Sequence, residues 1–291
     1  GPYFGRLIAY SSAAHAGRLW WTPIGRPWYF PFADDEDGNW EDAGSDREEI
    51  LKITMRPGTL VIYKEQSIWR LVGDPDTSSP QHVTSKIPPV GRFAIAEAGN
   101  VDYFVGQSGV YRFALDAPME ISQEIRPIFT NDYVKLHSDV IIPPMDDSNR
   151  NKCVLEYANN ELWLSYPTAG NSVPNMTLRC DLQSGRWYFH EIATGTGGFT
   201  ALHNEGALRS LLGGTSSGHL WELESSSQDS GTPIPVEWCS AFQDCGLPDT
   251  PKIFADLVVD YQTAVEAETA STLTVSLIYD NGTTKTAIGS L

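Results

Sequence analysis

The chain has 291 residues, of which 41% are hydrophobic and 11% aromatic, and its 20 basic and 37 acidic side chains give a net charge of −17 at pH 7. This acidic excess argues against a surface that wraps nucleic-acid phosphates, because such surfaces need clustered lysine and arginine. The sequence holds no run of about 18 apolar residues and does not open with a basic segment before a hydrophobic one, so we expect a soluble, unsecreted protein without a membrane span.

Two strand-like runs open the chain, Gly5–Tyr10 and Arg18–Thr22, joined by a turn of small residues. In a repeat fold, a strand this close to the first residue is predicted to pair with a preceding strand. We therefore expect this sequence to be part of a longer chain. The stretch from Asp34 to Asn39 is acidic, but it departs from the calcium-loop pattern, which needs oxygen ligands at alternate positions and a distal glutamate. We interpret it as a solvated loop, with weak cation binding as the alternative.

The clearest predicted element is a β-hairpin over Gly58–Gly73, where two runs rich in β-branched and aromatic residues flank the polar turn Lys64–Ser67. A similar hairpin follows at Val101–Leu115, around the turn Gly106–Gly109. The second strands of the two hairpins are about 42 residues apart, close to the length of one propeller blade.

A connector and three further hairpins come next. Met119–Phe129 has apolar residues at helical spacing interrupted by Pro127, which predicts one or two helical turns on a rim. The hairpins are predicted at Cys153–Tyr166, Met176–Phe189 and Leu208–Leu223.

Hairpins at this density, with almost no helix, predict an all-β fold. A β-sandwich and a β-propeller both fit this pattern. The recurrence of a turn followed by an aromatic strand at roughly 40-residue spacing favours a propeller of about five to seven blades over residues 1–225.

The final part of the chain differs in sequence pattern from the repeated hairpins. Residues 226–232, within the run Ser225–Thr232, are predicted to be a linker because they are small and polar. Beyond it, the alternating run Thr272–Tyr279 followed by Asn281 and Gly282 predicts another hairpin. We interpret residues 233–291 as strands of a β-sandwich that is expected to be incomplete.

We predict no catalytic, cofactor-binding or metal-binding residues, and we expect no enzymatic activity. Gly214–Gly218 matches the nucleophile-elbow pattern, but a strand rather than a helix is predicted to follow it, so the glycines are interpreted as turn residues. Two carboxylates about 5 to 9 Å apart would suffice to hydrolyse a glycosidic bond, as in some propellers, but the sequence alone does not select such a pair.

Cysteine, histidine and tryptophan residues are each given a structural interpretation. The four cysteines, Cys153, Cys180, Cys239 and Cys245, are too sparse for a disulfide scaffold and are expected to be reduced. The six histidines have no spacing that places two metal ligands on one face. Most of the strand tryptophans are predicted to be core residues rather than platforms on which sugars stack. The tryptophans considered are Trp20, Trp21, Trp28, Trp69, Trp163, Trp187 and Trp221.

Several segments of the chain have sequence patterns similar to those of one protein family. These segments are Arg18–Thr22, Gly58–Gly73, Gly106–Tyr111, Ile121–Ile125 and Lys252–Phe254. Together they resemble the propeller-containing tail hub or nozzle proteins of short-tailed bacteriophages, the packaged-DNA stabilisation type, and related prophage tail proteins, over most of residues 5–280.

The resemblance implies a virion structural role without cofactors. Several copies, often six, would form a ring beneath the portal and adaptor, line or plug the DNA exit channel, and contact tail fibres or tailspikes after assembly in the host cytoplasm. An acidic channel would keep passing DNA from sticking, since like charges repel. Two alternatives remain open: a glycan-binding or glycan-hydrolysing propeller of a phage or bacterial surface, and a generic protein-interaction propeller.

Overall fold

The computed structural model describes residues 2–30, 39–137, 140–190, 198–204, 211–223, 228–229, 232–233, 274–279 and 284–290. By its internal contacts the chain divides into two compact units, Gly1–Val134 with Ile142–Ile234, and Lys135–Ile141 with Pro235–Leu291. The domain limits expected from the sequence stay predictions.

The described part of the first unit contains five antiparallel sheets of three or four strands that follow one another along the chain. The first sheet is formed by β1 (Ile8–Tyr10), β2 (Arg18–Trp21) and β3 (Trp40–Asp42). The second is formed by β4 (Ile50–Arg56), β5 (Thr59–Lys64), β6 (Ile68–Val72) and β7 (Gln81–Thr84). The third is formed by β8 (Ile95–Ala98), β9 (Val101–Val105), β10 (Val110–Phe113) and β11 (Met119–Glu120). In each sheet every strand pairs with the next one in sequence, so each is a simple meander.

A 3₁₀ helix, Gln123–Thr130, and a second one, Asp147–Lys152, flank the strand pair β12 (Val134–His137) and β13 (Val140–Ile142). The fourth and fifth sheets then consist of β14 (Val154–Ala158), β15 (Glu161–Tyr166), β16 (Met176–Asp181) and β17 (Arg186–His190), and of β18 (Ala201–Asn204), β19 (Leu211–Gly214) and β20 (Leu220–Leu223). The predicted hairpins of this unit are therefore confirmed over their described residues.

The second sheet is covered on both faces, and β5 shows this most clearly. All six of its residues are buried. Leu60 and Ile62 pack against the first sheet, whereas Val61 and Tyr63 pack against the third sheet. Because successive side chains of a strand point to opposite faces, a strand buried on both sides must be apolar throughout, which explains the continuous run in its sequence.

The later sheets pack in the same manner. Trp163 of the fourth sheet shares a core with Leu202 and Leu211 of the fifth. Between the third and fourth sheets, the Leu155 backbone N–H donates to the Phe93 carbonyl at 2.8 Å. Propeller blades are four-stranded meanders stacked face to face in chain order. The second, third and fourth sheets match this arrangement, and the first and fifth have three described strands each, so the predicted all-β propeller is confirmed.

The predicted helical connector is the 3₁₀ helix Gln123–Thr130. Pro127 lies inside it, and Asn131, in the left-handed conformation at φ 61°, ends it. Its apolar side, including Ile125 and Ile128, is buried. A proline lacks the N–H that a longer α-helix would need, which limits the segment to the short turns that the sequence predicts.

The prediction that most of the tryptophans are core residues is confirmed, with Trp28 as an exception, whereas the assignment of Lys64 to a turn was wrong. Trp28 is 80% exposed, because it lies in a succession of turns in which Arg26 N–H donates to Pro23 O and Tyr29 N–H donates to Arg26 O. Lys64, assigned to a polar turn, is the last residue of β5 and is fully buried. Its ammonium donates to the Ala43 and Ser45 carbonyls at 2.5 and 2.7 Å, and burial lowers its pKa.

The remaining expectations fall largely outside the described residues. This applies to Asp34–Gly38 of the acidic stretch, to Cys239 and Cys245, and to the Asn281-Gly282 turn. The strands on either side of that turn, β23 (Thr274–Tyr279) and β24 (Thr284–Ser290), pair with each other as predicted. Inside the predicted linker, β21 (Gln228–Asp229) pairs with β22 (Thr232–Pro233). The β-sandwich stays a prediction.

The two described cysteines, Cys153 and Cys180, are buried free thiols. Burial raises the pKa of each to about 12. Because the thiolate is the reactive form, we expect neither to be alkylated by iodoacetamide at pH 8 in the folded protein. Mass spectrometry of a Cys239→Ser/Cys245→Ser variant should find no modified thiol before unfolding and two after it. Rapid alkylation of either cysteine in the native state would contradict their placement.

Candidate functional site: charged residues on the first strands of the sheets

Four consecutive sheets carry a polar, titratable residue at the same place in their first strand. These residues are Lys52 of β4, Glu97 of β8, Glu156 of β14 and His203 of β18. Each is the third residue of its strand and follows two apolar residues, as in Ile50-Leu51-Lys52 and Val154-Leu155-Glu156. We call these four residues the first-strand cluster.

Direct contacts bring the first strands together. The Lys52 ammonium lies 3.3 Å from Oε1 of Glu97 and donates a hydrogen bond to the Ile95 carbonyl at 2.9 Å, which ties the second sheet to the third. Strand β14 contacts both β8 and β18. The Asn204 amide donates to the Tyr157 carbonyl at 2.8 Å, which ties the fifth sheet to the fourth.

Glu156 has a carboxyl group whose pKa is raised above its ordinary value. Burial raises the pKa of its carboxyl, the nearby Glu97 charge adds to this rise, and the Tyr157 backbone N–H together with Lys52 and His203 opposes it. The Tyr157 N–H donates to its Oε1 at 3.2 Å. Glu97 is 45% exposed and pairs with Lys52. The two carboxyl groups of the cluster therefore differ in burial and in their charged neighbours.

Within the described ranges, no three or more His, Cys, Asp and Glu side chains are grouped so as to hold a metal ion. Over the same ranges, no helix has the length and apolar character needed to cross a membrane. The expectations of no cofactor and no catalytic residue stay predictions.

This cluster was not predicted from the sequence, in which His203 is one of six histidines without metal-ligand spacing. A signal was present, since two apolar residues followed by a titratable one begin each of four sheets. The signal becomes visible only when the first strand of each sheet is known, because the spacing between the four residues is irregular.

Comparison with known proteins gives little beyond the fold. No family model and no curated protein matches the chain. Among solved structures, it is similar to a GH74 xyloglucanase from Xanthomonas campestris, with 11% identity and a TM-score of 0.36 over 76% of this chain and 44% of that one. The chain thus spans less than half of the xyloglucanase.

Two further solved structures show similarity at the same level. A 6-phosphogluconolactonase homologue from Bacteroides fragilis has 10% identity and a TM-score of 0.37 over 77% of this chain and 68% of that one. YCF48 bound to D1 peptide has 12% identity and a TM-score of 0.29 over 75% of this chain and 82% of that one. Values this low add nothing on function.

The raised pKa of Glu156 predicts a specific pH dependence. Between the ordinary value of 4.5 and the folded-state pKa, the folded protein keeps a proton that the unfolded chain has released, so stability falls as pH rises through this window. We expect Glu156→Gln to remove that fall and to raise the melting temperature at pH 8. Calorimetry from pH 4.5 to 8 tests this. Glu65→Gln, at an exposed position, is the matched control and should leave the dependence of melting temperature on pH unchanged. The same pH dependence in Glu156→Gln and in the wild-type chain would contradict the raised pKa of Glu156.

Proposed function

We propose that the chain is a structural component of a bacteriophage tail, a hub or nozzle subunit that acts through protein contacts. The observation that carries the proposal is the packing of consecutive sheets on both faces, as in β5, which makes a rigid scaffold. The sequence resemblance to tail hub proteins supports the same role. In this proposal the copies form a ring, by resemblance a hexamer, that connects the portal and adaptor to the tail tip.

The charge of the chain suits a DNA exit channel. Each copy carries a net charge of −17. Several copies around a narrow channel would present a strongly negative wall, and a wall of the same sign as DNA lets it pass without binding. The proposal therefore includes passage of DNA without specific recognition.

Exposed apolar side chains of the first unit support docking to other proteins. Phe4 and Met55 are 46% and 43% exposed, and with Pro57 they line a shallow concave surface. Ile24 is also exposed, and its side chain lies near Gly5. Exposed apolar surface of this kind commonly marks an interaction site.

Light scattering and negative-stain imaging of the purified chain test the proposal. We expect ring-shaped oligomers, and we expect Phe4→Asp/Met55→Asp to weaken them. Tyr133→Asp is the control, since Tyr133 is similarly exposed and lies elsewhere in the sequence. A chain that stays monomeric at every concentration and releases sugars from bacterial polysaccharide would overturn the proposal.

A second candidate function is glycan hydrolysis. The neighbouring carboxyl groups of Glu97 and Glu156 favour it, because glycoside hydrolysis uses a pair of carboxyl groups. Glu156, partly buried, would protonate the leaving glycosidic oxygen, while Glu97 would take the proton of an attacking water or bind the sugar cation. Reducing-sugar release from capsular and cell-wall polysaccharides tests it. Under this alternative, Glu156→Gln would lower the rate by about 100-fold or more, whereas Glu65→Gln would not. No release by the wild-type chain would reject it.

A further inference from the structure

Two arginines of the second sheet carry buried N–H groups without a hydrogen-bond partner. These groups are Nε and Nη1 of Arg56 and Nε of Arg70. The side chain of Arg56 is only 3% exposed. Buried donors are nearly always satisfied by protein or by a bound species, because leaving a charged donor unpaired costs free energy.

Both arginines lie on the face of the second sheet that packs on the third sheet. Arg70 pairs across the strands with Val61, and Arg56 pairs with Thr59, which is on the same face as Val61. That face packs on the third sheet. Arg56 Nη2 donates to the Phe113 carbonyl at 2.9 Å, and Arg70 Nη1 donates to the Leu115 carbonyl at 3.2 Å. Since these carbonyls are two residues apart, the guanidinium groups lie at one end of the interface.

The backbone is strained where Arg70 is anchored. Leu115 has φ of 80°, a left-handed conformation that leucine rarely adopts. Its carbonyl accepts the hydrogen bond from Arg70 Nη1. A strained residue persists only when its surroundings hold it in place, so the fold holds this turn beside Arg70.

The charges at this interface do not balance. Asp102 is 1% exposed and lies 2.9 Å from Arg56 Nη2. The same oxygen, Oδ2, also accepts hydrogen bonds from the Tyr63 hydroxyl at 2.7 Å and from Thr54 Oγ1 at 2.6 Å. Arginine keeps its positive charge throughout the working pH range. Two guanidinium groups against one carboxylate leave an excess positive charge in a chain that is otherwise strongly acidic.

We infer that a small inorganic anion, such as chloride or phosphate, binds between the second and third sheets and accepts hydrogen bonds from Arg56 Nη1 and from Arg70 Nε. Each arginine would supply one charged N–H donor, and hydrogen bonds from charged donors are among the stronger ones. The bound anion would supply the missing negative charge and fix the two sheets to each other. The inference does not rest on the proposed tail function.

Thermal unfolding of the full chain with added anions tests the inference. The chain is held at constant ionic strength with gluconate, a bulky anion, while chloride or phosphate replaces it. We expect a saturable rise in melting temperature with one of these two ions, as for a ligand that binds only the folded state. Arg70→Met should abolish the rise, whereas Arg92→Met, at an exposed arginine paired with Glu49, should retain it.

Crystals soaked in bromide provide the second measurement, since bromide replaces chloride and scatters anomalously. We expect a peak beside Arg56 and Arg70 in the wild-type chain and none there in Arg70→Met. Two results would overturn the inference: a linear, unsaturated response to both ions, as expected if ordered water alone satisfies the donors, and a saturable response that Arg70→Met leaves intact.

Discussion

Replacing Asp102 by alanine is expected to lower the free energy of unfolding by about 3–5 kcal/mol, as observed when one partner of a buried ion pair is removed. Asp102 is the carboxylate that Arg56, Tyr63 and Thr54 all contact across the second and third sheets. Its removal leaves the Arg56 charge buried without that partner. Burial and the Asp102 charge together raise the pKa of Tyr63, so the hydroxyl keeps its proton and donates to this carboxylate.

Urea unfolding followed by tryptophan fluorescence measures this effect. Glu97→Ala is the matched control, because it breaks an ion pair with Lys52 whose carboxylate is 45% exposed, and it should cost less than about 1 kcal/mol. The double variant Asp102→Ala/Arg56→Met should recover part of the loss, since it removes both charges. Equal, small losses for Asp102→Ala and Glu97→Ala would show that the interface does not depend on this pair.

Gly44→Ala is expected to cost roughly 2–5 kcal/mol, which combines left-handed backbone strain with overpacking. Gly44 has φ of +69°, and a Cβ there would lie 2.3 Å from Cζ2 of Trp69. The Trp69 ring has little freedom to move, because its Nε1 donates to Ser67 Oγ at 2.8 Å. Ser67 in turn donates to Glu48 at 2.8 Å.

Gly58→Ala separates the two causes. Gly58 has nearly the same conformation, with φ of +71°, but a Cβ added there would have no atom within 4 Å. It should therefore show the strain alone, about 1–2 kcal/mol. Thermal and urea unfolding of both variants measures the difference, and a changed tryptophan emission is expected for Gly44→Ala only. If both variants lose the same stability, the Trp69 contact contributes nothing.

The hairpins of the first unit were predictable because their signals are local. A polar or glycine-containing turn between apolar runs specifies a hairpin within about 15 residues, as in Gly58–Gly73. In the hairpin predicted at Cys153–Tyr166, Asn159 and Asn160 both have the positive φ that a tight hairpin turn needs. The same holds for the short connector, where Pro127 limits the helix.

Residues whose surroundings come from distant segments were not predictable in this way. Lys64 is buried by the segment from Ala43 to Glu48, which the sequence around Lys64 does not reveal. Glu97 and Glu156 come together only because β8 and β14 are neighbouring first strands. Trp28 is exposed although its neighbours are aromatic, since a turn rather than a strand carries it.

Electron cryomicroscopy of the purified chain tests the proposed role most directly. A scaffold subunit of a tail should be seen as several copies in a closed ring, with the second sheet of each copy covered on both faces and an acidic surface toward the central opening. A single copy with a saccharide bound over Glu97 and Glu156 would contradict it.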